Sequence, residues 1–102
     1  MIFQVVLQWP AHSPSAFDEM VAVEDLLIAK LSEKSKLDGH DLSTAEVNIF
    51  VRTVDAHRAF EEIRTILSGH KLWSDAVIAY RQMDGSEYTV VWPPGTLTFN
   101  VR

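Results

Sequence analysis

One amphipathic segment near the middle of the chain constrains the fold most strongly. Its apolar residues recur at intervals of three and four, as they do along one face of an α-helix. This face consists of Ala56, Ala59, Phe60, Ile63, Ile66 and Leu67. Asp55 is a typical N-cap residue and Gly69 is a typical residue just beyond a helix end, so the pattern predicts a helix over residues 55–68.

Strand-like segments and a second helical segment surround this helix in a regular order. The strand-like segments are rich in β-branched and aromatic residues, and the Asp84-Gly85 pair is a strong hairpin turn signal between two of them. A first helix is predicted over residues 15–33, and strands are predicted over residues 2–9, 36–42, 46–53, 75–82, 87–92 and 96–102. The order resembles the ferredoxin-like, or split βαβ, superfold. This resemblance implies an α+β fold with an antiparallel sheet, two helices on one face and one or two extra C-terminal strands.

Size, composition and charge narrow the class of protein. The chain has 102 residues, which predicts a single domain over residues 1–102. It has no cysteine, so disulfides, thiolate metal sites and cysteine nucleophiles are excluded. A net charge of −5 without a basic stripe disfavours nucleic-acid binding. The apolar start of the chain is too short for a signal peptide or a membrane span, so we expect a cytoplasmic protein that binds no membrane.

Three tryptophans are predicted to meet at one rim of the sheet. In the predicted topology the first strand ends where the fourth begins and the fifth ends, which brings Trp9, Trp73 and Trp92 to the same rim. Large aromatic side chains often close the open end of a small core. Tryptophan is also enriched at binding hot spots, so a ligand or protein contact site is the alternative.

Glu24 is the most unusual residue of the first predicted helix. The apolar face of that helix is formed by Phe17, Met20, Val21, Leu27, Ile28 and Leu31. Glu24 falls near the middle of this face, where a carboxylate without a partner is costly to bury. Three outcomes are possible for Glu24. It pairs with a histidine or arginine or accepts hydrogen bonds, it stays protonated, or it remains solvated because the helix overhangs the sheet. As a functional residue it would act as a buried acid or base, with His40 or Asn48 orienting a substrate.

The sheet face away from the helices is predicted to be a contact surface. If Val47, Ile49 and Val51 face the helices, alternation places the intervening side chains on the other face. The residues predicted to point outward are Gln4, Val6, Gln8, Glu46, Asn48, Phe50 and Arg52. One solvated face is normal for an antiparallel sheet. An apolar residue such as Phe50 among polar neighbours is also what a modest protein interface needs.

A short acidic stretch precedes the predicted hairpin turn. Asp38 and His40 alternate onto one side of the strand and Asp41 onto the other, with Gly39 as a candidate bulge or close approach. At most two ligands converge, so no metal site is expected. A triad of Ser43, His40 and Asp41 lacks the glycine-framed oxyanion signal that accompanies such sites. The stretch is therefore predicted to be a hairpin whose acids are solvated or hydrogen-bond to the turn.

These observations indicate a small binding protein without a cofactor. In size, acidity and lack of catalytic motifs the chain resembles small bacterial proteins of unassigned role, including some toxin-neutralising immunity proteins. Such a protein would pair with itself as a homodimer, or meet a basic protein partner through its acidic groups. The predicted contact residues are Trp9, Trp73, Trp92, Asp38, His40, Asp41, Glu46, Asn48, Phe50 and Arg52. The alternative is a small-ligand-binding protein or enzyme in which Glu24 and His40 carry the chemistry.

Overall fold

The structure, a computed structural model, describes residues 1–12, 14–96 and 99–101 of the chain. Within these ranges the elements in chain order are β1 (Phe3–Pro10), α1 (Ala16–Lys30), β2 (Ser35–Leu42), β3 (Glu46–Thr53), α2 (Ala56–Leu67), a 3₁₀ helix (Lys71–Asp75), β4 (Val77–Gln82) and β5 (Thr89–Trp92). Of the helices in the described ranges, none combines the length and the apolar content that crossing a membrane requires.

The five strands of the described chain form one sheet in the order β2-β3-β1-β4-β5, and all neighbouring strands are antiparallel. The predicted α+β class is therefore confirmed, with an antiparallel sheet and two α-helices among the described residues. One extra C-terminal strand is present as predicted, because β5 returns after the turn at Asp84-Gly85 and extends the sheet beyond β4. The strand order of the whole sheet therefore differs from that of a four-stranded ferredoxin-like sheet. Of the strand predicted over residues 96–102, Leu97, Thr98 and Arg102 lie outside the described residues, and residues 99–101 are not in a strand.

The hydrophobic core lies between the two helices and one face of the sheet. Alternation along β1 sends Val5, Leu7 and Trp9 to this face. Their antiparallel partners on β3, which share the face, are Val51, Ile49 and Val47. The helices contribute Met20, Val23 and Leu27 from α1 and Ile63 and Leu67 from α2. Each fully buried aliphatic side chain of this kind stabilises the fold by about 1.5–3 kcal/mol.

The helix α2 agrees with its sequence signals. The side chain of its N-cap residue, Asp55, accepts a hydrogen bond from the backbone N–H of Arg58 at 3.1 Å. The apolar stripe is buried except for Ile66, which is half-buried, and the opposite face is polar. The predicted helix over residues 55–68 is therefore confirmed to within a residue at each end.

The helix α1 ends at Lys30, earlier than the predicted residue 33, and a contact with α2 follows directly after its end. Leu31 is already extended, with a ψ of 143°. The next residue, Ser32, donates its backbone N–H and its hydroxyl to the two carboxylate oxygens of Glu62, at 2.8 and 2.9 Å. The two residues are 30 positions apart, so local sequence signals do not reveal this contact.

The same contact changes the titration of Glu62. Burial raises the pKa of Glu62, but the hydrogen bonds from Ser32 and the hydrogen bond and charge of Arg58 together outweigh this effect. The Arg58 Nε lies 3.2 Å from the carboxylate Oε2. The pKa of Glu62 therefore lies below its ordinary value of 4.5, and the ionised carboxylate joins the end of α1 to α2.

Candidate functional site

The three tryptophans lie at the same end of the sheet, in two arrangements. Trp73 and Trp92 stack with ring centroids 5.4 Å apart, and Phe60 packs against Trp92 at 6.3 Å. The guanidinium carbon of Arg64 lies 5.5 Å from the centroid of the Trp92 ring. These contacts close the end of the core beside β5. A contact role for Trp73 and Trp92, which are only partly buried, stays a prediction.

Trp9 is buried and belongs to the core instead. Its indole Nε1 donates to the Glu19 Oε1 at 3.0 Å, and the second oxygen of Glu19 lies 3.2 Å from the Lys71 ammonium nitrogen. The hydrogen bond satisfies the one polar group of the ring, as a buried tryptophan requires. Within the described ranges, Trp9 makes no ring contact with the other two tryptophans.

Glu24 is buried at the junction between α1 and β2. The residue is 9% exposed, and its Oε2 lies 3.0 Å from the Nδ1 of His40. The His40 side chain is 43% exposed. Of the outcomes predicted for Glu24, the structure therefore shows pairing with a histidine. An ionised carboxylate can only accept a hydrogen bond, so in that state the Nδ1 of His40 is the donor.

A bulge in β2 brings His40 to Glu24. Leu37 pairs with Val51 and His40 pairs with Ile49, with a register shift between the two pairs. Because Val51 and Ile49 both face the helices, Leu37 and His40 do so too, although their odd spacing would place them on opposite faces of a regular strand. Gly39, with a φ of 107°, adopts the conformation that the bulge needs. The predicted role of Gly39 as a bulge residue is confirmed.

The other polar residues of this hairpin do not join the pair. Asp41 lies opposite Asn48 and points to the other face of the sheet. The Ser43 hydroxyl accepts hydrogen bonds from the backbone N–H groups of Ala45 and Glu46 at 3.2 and 3.1 Å, which shapes the turn. Ser43, His40 and Asp41 therefore do not form a triad. The described residues contain no group of three or more histidine, cysteine, aspartate or glutamate residues able to hold a metal ion.

The outer face of the sheet carries a buried polar cluster. Nε2 of Gln8 lies 2.9 Å from Glu46 Oε2, from Asn48 Oδ1 and from the backbone oxygen of Asn100. Asn48 Nδ2 also donates to Glu46 Oε2, at 2.8 Å. Asn48 is 1% exposed and Glu46 is buried as well. This face is predicted to be either solvated or a pairing surface. Glu46 and Asn48 are not solvated, because they are buried and hydrogen-bond within the chain, and a contact role for them stays a prediction.

The C-terminal segment covers part of the same face. The Tyr88 and Phe99 rings lie 5.0 Å apart, and the Tyr88 hydroxyl donates to the Gln4 Oε1 at 3.5 Å. Val6 and Ala79 point away from the helix-side core, yet both are fully buried. The far side of the sheet is therefore not left open over β1 and β4. Over β3, Phe50 is half-buried and Arg52 is exposed.

The helix α1 exposes apolar residues that the sequence places in the core. Met20, Val23 and Leu27 face the sheet, whereas Phe17 and Ile28 are 55% and 66% exposed. The helix is apolar around much of its circumference, so its periodicity is compatible with two orientations. Packing against β2 and β3 selects the orientation that buries Val23. Phe17 and Ile28 are the contact candidates that sequence reasoning missed.

Of these exposed residues, Ile28 adjoins β2, an edge strand of the described sheet. A groove of about 420 Å³ runs between the end of α1 and the start of β2, and its apolar lining includes Ile28, Leu31 and Leu37. Exposed carboxylates flank this region on both elements. We define the α1–β2 surface as Phe17, Asp25, Ile28, Leu37, Asp38 and Asp41. This surface extends around the edge strand, because Asp41 points to the outer face of the sheet.

Charge is distributed unevenly along the chain. Residues 1–51 contain eight of the acids and only three of the bases, whereas residues 52–102 contain six of each. The first half, which includes α1 and β2, therefore carries the whole net charge of −5. The second half is balanced.

No protein-family model, curated protein or solved structure matches this chain, so the site is interpreted from its own geometry.

Proposed function

We propose that the protein acts by binding a basic protein partner through the α1–β2 surface. The observation that carries the proposal is the coincidence of exposed apolar side chains with carboxylates that form no salt bridge among the described residues. Phe17 and Ile28 stand exposed on α1, and the exposed acids Asp25, Asp38 and Asp41 lie on α1 and β2. Protein interfaces combine an apolar centre with a polar rim in this way.

The two kinds of residue would contribute differently to the complex. Burying Phe17 and Ile28 against a partner would each stabilise the complex by about 1–2 kcal/mol, since part of each side chain is already covered. The carboxylates would mainly accelerate association with a positively charged surface and exclude partners of like charge.

A homodimer through the same surface is less well supported by the charges. Two copies related by a two-fold axis would place the patch that carries Asp25, Asp38 and Asp41 of one chain against the same acidic patch of the other. Like charges that face each other across an interface cost several kcal/mol. Self-association is therefore an outcome that contradicts the proposal.

For Glu24 and His40 we propose a structural role. Their hydrogen bond joins α1 to β2 directly beneath the α1–β2 surface, and it gives the buried carboxylate a partner. We also propose that β1 to β4 and the two helices represent a split βαβ unit, with β5 as an addition to its edge.

A charge-neutralised variant tests the proposal against a matched control. The test variant carries Asp25→Asn, Asp38→Asn and Asp41→Asn, and the control carries Asp75→Asn, Asp84→Asn and Glu87→Gln. All six residues are exposed, and each variant loses three negative charges. The immobilised proteins are incubated with a lysate of the source cells, and the retained proteins are identified and quantified by mass spectrometry.

We expect the wild type and the control to retain the same basic protein, and the test variant to lose it. Retention should also weaken as the salt concentration rises, because the attraction between exposed charges is screened. If all three proteins retain the same set, or if the wild type retains no basic protein, the proposal is wrong.

A further inference from the structure

The strand β2 is an open edge of the sheet. It pairs only with β3 and has no neighbour on its other side among the described residues. Five consecutive residues, from Asp38 to Leu42, are exposed. The other edge, β5, has four residues and is followed directly by Pro93 and Pro94, which cannot donate a ladder hydrogen bond. With eight residues, β2 is the edge long enough to accept another strand.

The charges of β2 disfavour the addition of an acidic strand, such as a second copy of β2. The strand carries Asp38 and Asp41 against a single lysine, Lys36, and Asp25 of α1 lies exposed on the adjoining helix. Charged side chains and a bulge on an edge strand discourage pairing with a copy of the same strand. The same carboxylates are complementary to a strand that carries lysine or arginine.

An apolar anchor site lies beside the edge. The groove lined by Ile28, Leu31 and Leu37 borders the first half of β2 on the helix side of the sheet. In an added strand, alternate side chains point to the helix side. An apolar residue at such a position of the added strand would enter the groove. The basic residues on either side of it would point to the outer face of the sheet or towards the acids of β2.

We infer that β2 receives an extended basic segment of the protein partner as an additional strand of the sheet. The inference rests on the function proposed above and specifies how the partner is bound. Backbone hydrogen bonds to the free edge would supply part of the affinity, and the acids and the groove would supply the selectivity, as in other cases of strand addition.

Synthetic peptides of eight residues, the length of β2, test the inference. The first peptide alternates lysine with valine. The second has the same sequence but carries a methyl group on every backbone nitrogen, so it has the same charge but lacks the N–H groups that a ladder needs. The third alternates glutamate with valine. Binding to the ¹⁵N-labelled protein is followed by amide chemical shifts and by hydrogen exchange of the β2 amides.

The lysine–valine peptide should shift the β2 amides and slow their exchange. We expect it to bind at least about tenfold more tightly than the N-methylated peptide, and the glutamate peptide to show no binding. The Asp38→Asn/Asp41→Asn variant should weaken the first peptide about fivefold or more, in line with the loss of two charge contacts. Equal binding of the lysine–valine peptide and its N-methylated form, shifts confined to other strands, or no binding of the lysine–valine peptide at about 1 mM would each overturn the inference.

The two proposals fail in different ways. If the neutralised variant loses its basic partner but the lysine–valine peptide does not bind β2, the α1–β2 surface stands and strand addition is wrong. If the peptide binds β2 but the retained proteins are unaffected by neutralisation, the edge can pair but the proposed function is wrong.

Discussion

The two helices pack on the same sheet, yet they differ in how well their sequences match their surroundings. In α2 the N-cap, the buried stripe and the polar outer face all agree. In α1 two large apolar residues, Phe17 and Ile28, face outward, and a carboxylate, Glu24, is buried. The strand beside α1 is bulged and acidic, whereas α2 lies in the charge-balanced half of the chain.

This difference indicates which part of the molecule has a role beyond stability. A sequence specifies one structure best when propensity, patterning, capping and burial agree. Departures from such agreement are expected where a surface is used for binding. In the described chain several departures lie on α1 and β2, and a further one, the buried Glu46 and Asn48, lies on β3. Each of the following changes tests whether the region of α1 and β2 differs from the region of α2 as this interpretation requires.

The largest difference should come from the same substitution made on each helix. Ile63→Ala in α2 removes a fully buried side chain and should lower the free energy of unfolding by about 3 kcal/mol. Ile28→Ala in α1 should change it by less than about 0.5 kcal/mol, because the side chain is largely exposed. Urea unfolding of the two variants gives the comparison, and equal losses would show that α1 packs in another orientation.

The bulge in β2 should be the next most sensitive feature. Gly39→Ala should lower the free energy of unfolding by about 2 kcal/mol, because a φ of 107° strains any residue with a β-carbon. Open space surrounds both Gly39 and Gly69, but only Gly39 has a positive φ. Gly69→Ala is thus a matched control, expected within about 0.5 kcal/mol of the wild type. Similar effects at the two sites in thermal or urea unfolding would exclude the strained bulge.

Removal of His40 should expose the cost of burying Glu24. His40→Ala leaves the carboxylate without this partner and should cost about 1.5 kcal/mol of stability. The double variant Glu24→Leu/His40→Ala should recover most of that loss, because an apolar residue needs no partner there. A double-mutant cycle measured by urea unfolding checks this. A neutral effect of the single substitution would mean that water already solvates Glu24.

A smaller, pH-dependent effect on stability is expected at Glu62, where α2 contacts the end of α1. Glu62→Gln should lower the free energy of unfolding at pH 7 by about 1 kcal/mol, because Ser32 and Arg58 then lose an ionised acceptor. The pKa of Glu62 in the folded state is lower than its ordinary value of 4.5. The carboxylate therefore contributes fully to the free energy of unfolding above pH 4.5, and this contribution is lost as the pH falls through the lower folded pKa. The difference in the free energy of unfolding between Glu62→Gln and the wild type should therefore become smaller at acidic pH.

Glu61→Gln is the control for this experiment, since the Glu61 side chain is 61% exposed. It should change stability little at either pH. If the loss of stability in Glu62→Gln relative to the wild type stays constant from neutral to acidic pH, the assigned role of the carboxylate is contradicted.

Local sequence signals predicted the parts of the fold that local interactions determine. The span of α2 and its N-cap Asp55, the turn at Asp84-Gly85 and the bulge at Gly39 follow from residue types at fixed spacing. The alternation of β3 likewise predicted that Ile49 faces the helices.

Contacts between distant residues decided the rest. The hydrogen bond from Gln8 to Asn100 joins residues 92 positions apart, and it contributes to a covered outer face that the sequence suggested was open. The rotation of α1 depends on which of two apolar arcs packs better against the sheet, and periodicity does not distinguish them. The candidate site changed accordingly, from the outer face to the α1–β2 surface.

The most direct test of the account separates stability from binding on that surface. The variant Phe17→Ser/Ile28→Ser removes its two exposed apolar side chains, and Ile2→Ser/Val54→Ser removes two exposed apolar side chains elsewhere. Both variants should unfold within about 1 kcal/mol of the wild type. The first should retain the basic partner at least about tenfold less well than the wild type, and the second should retain it normally. Normal retention by Phe17→Ser/Ile28→Ser, or equal losses in both variants, would contradict the account.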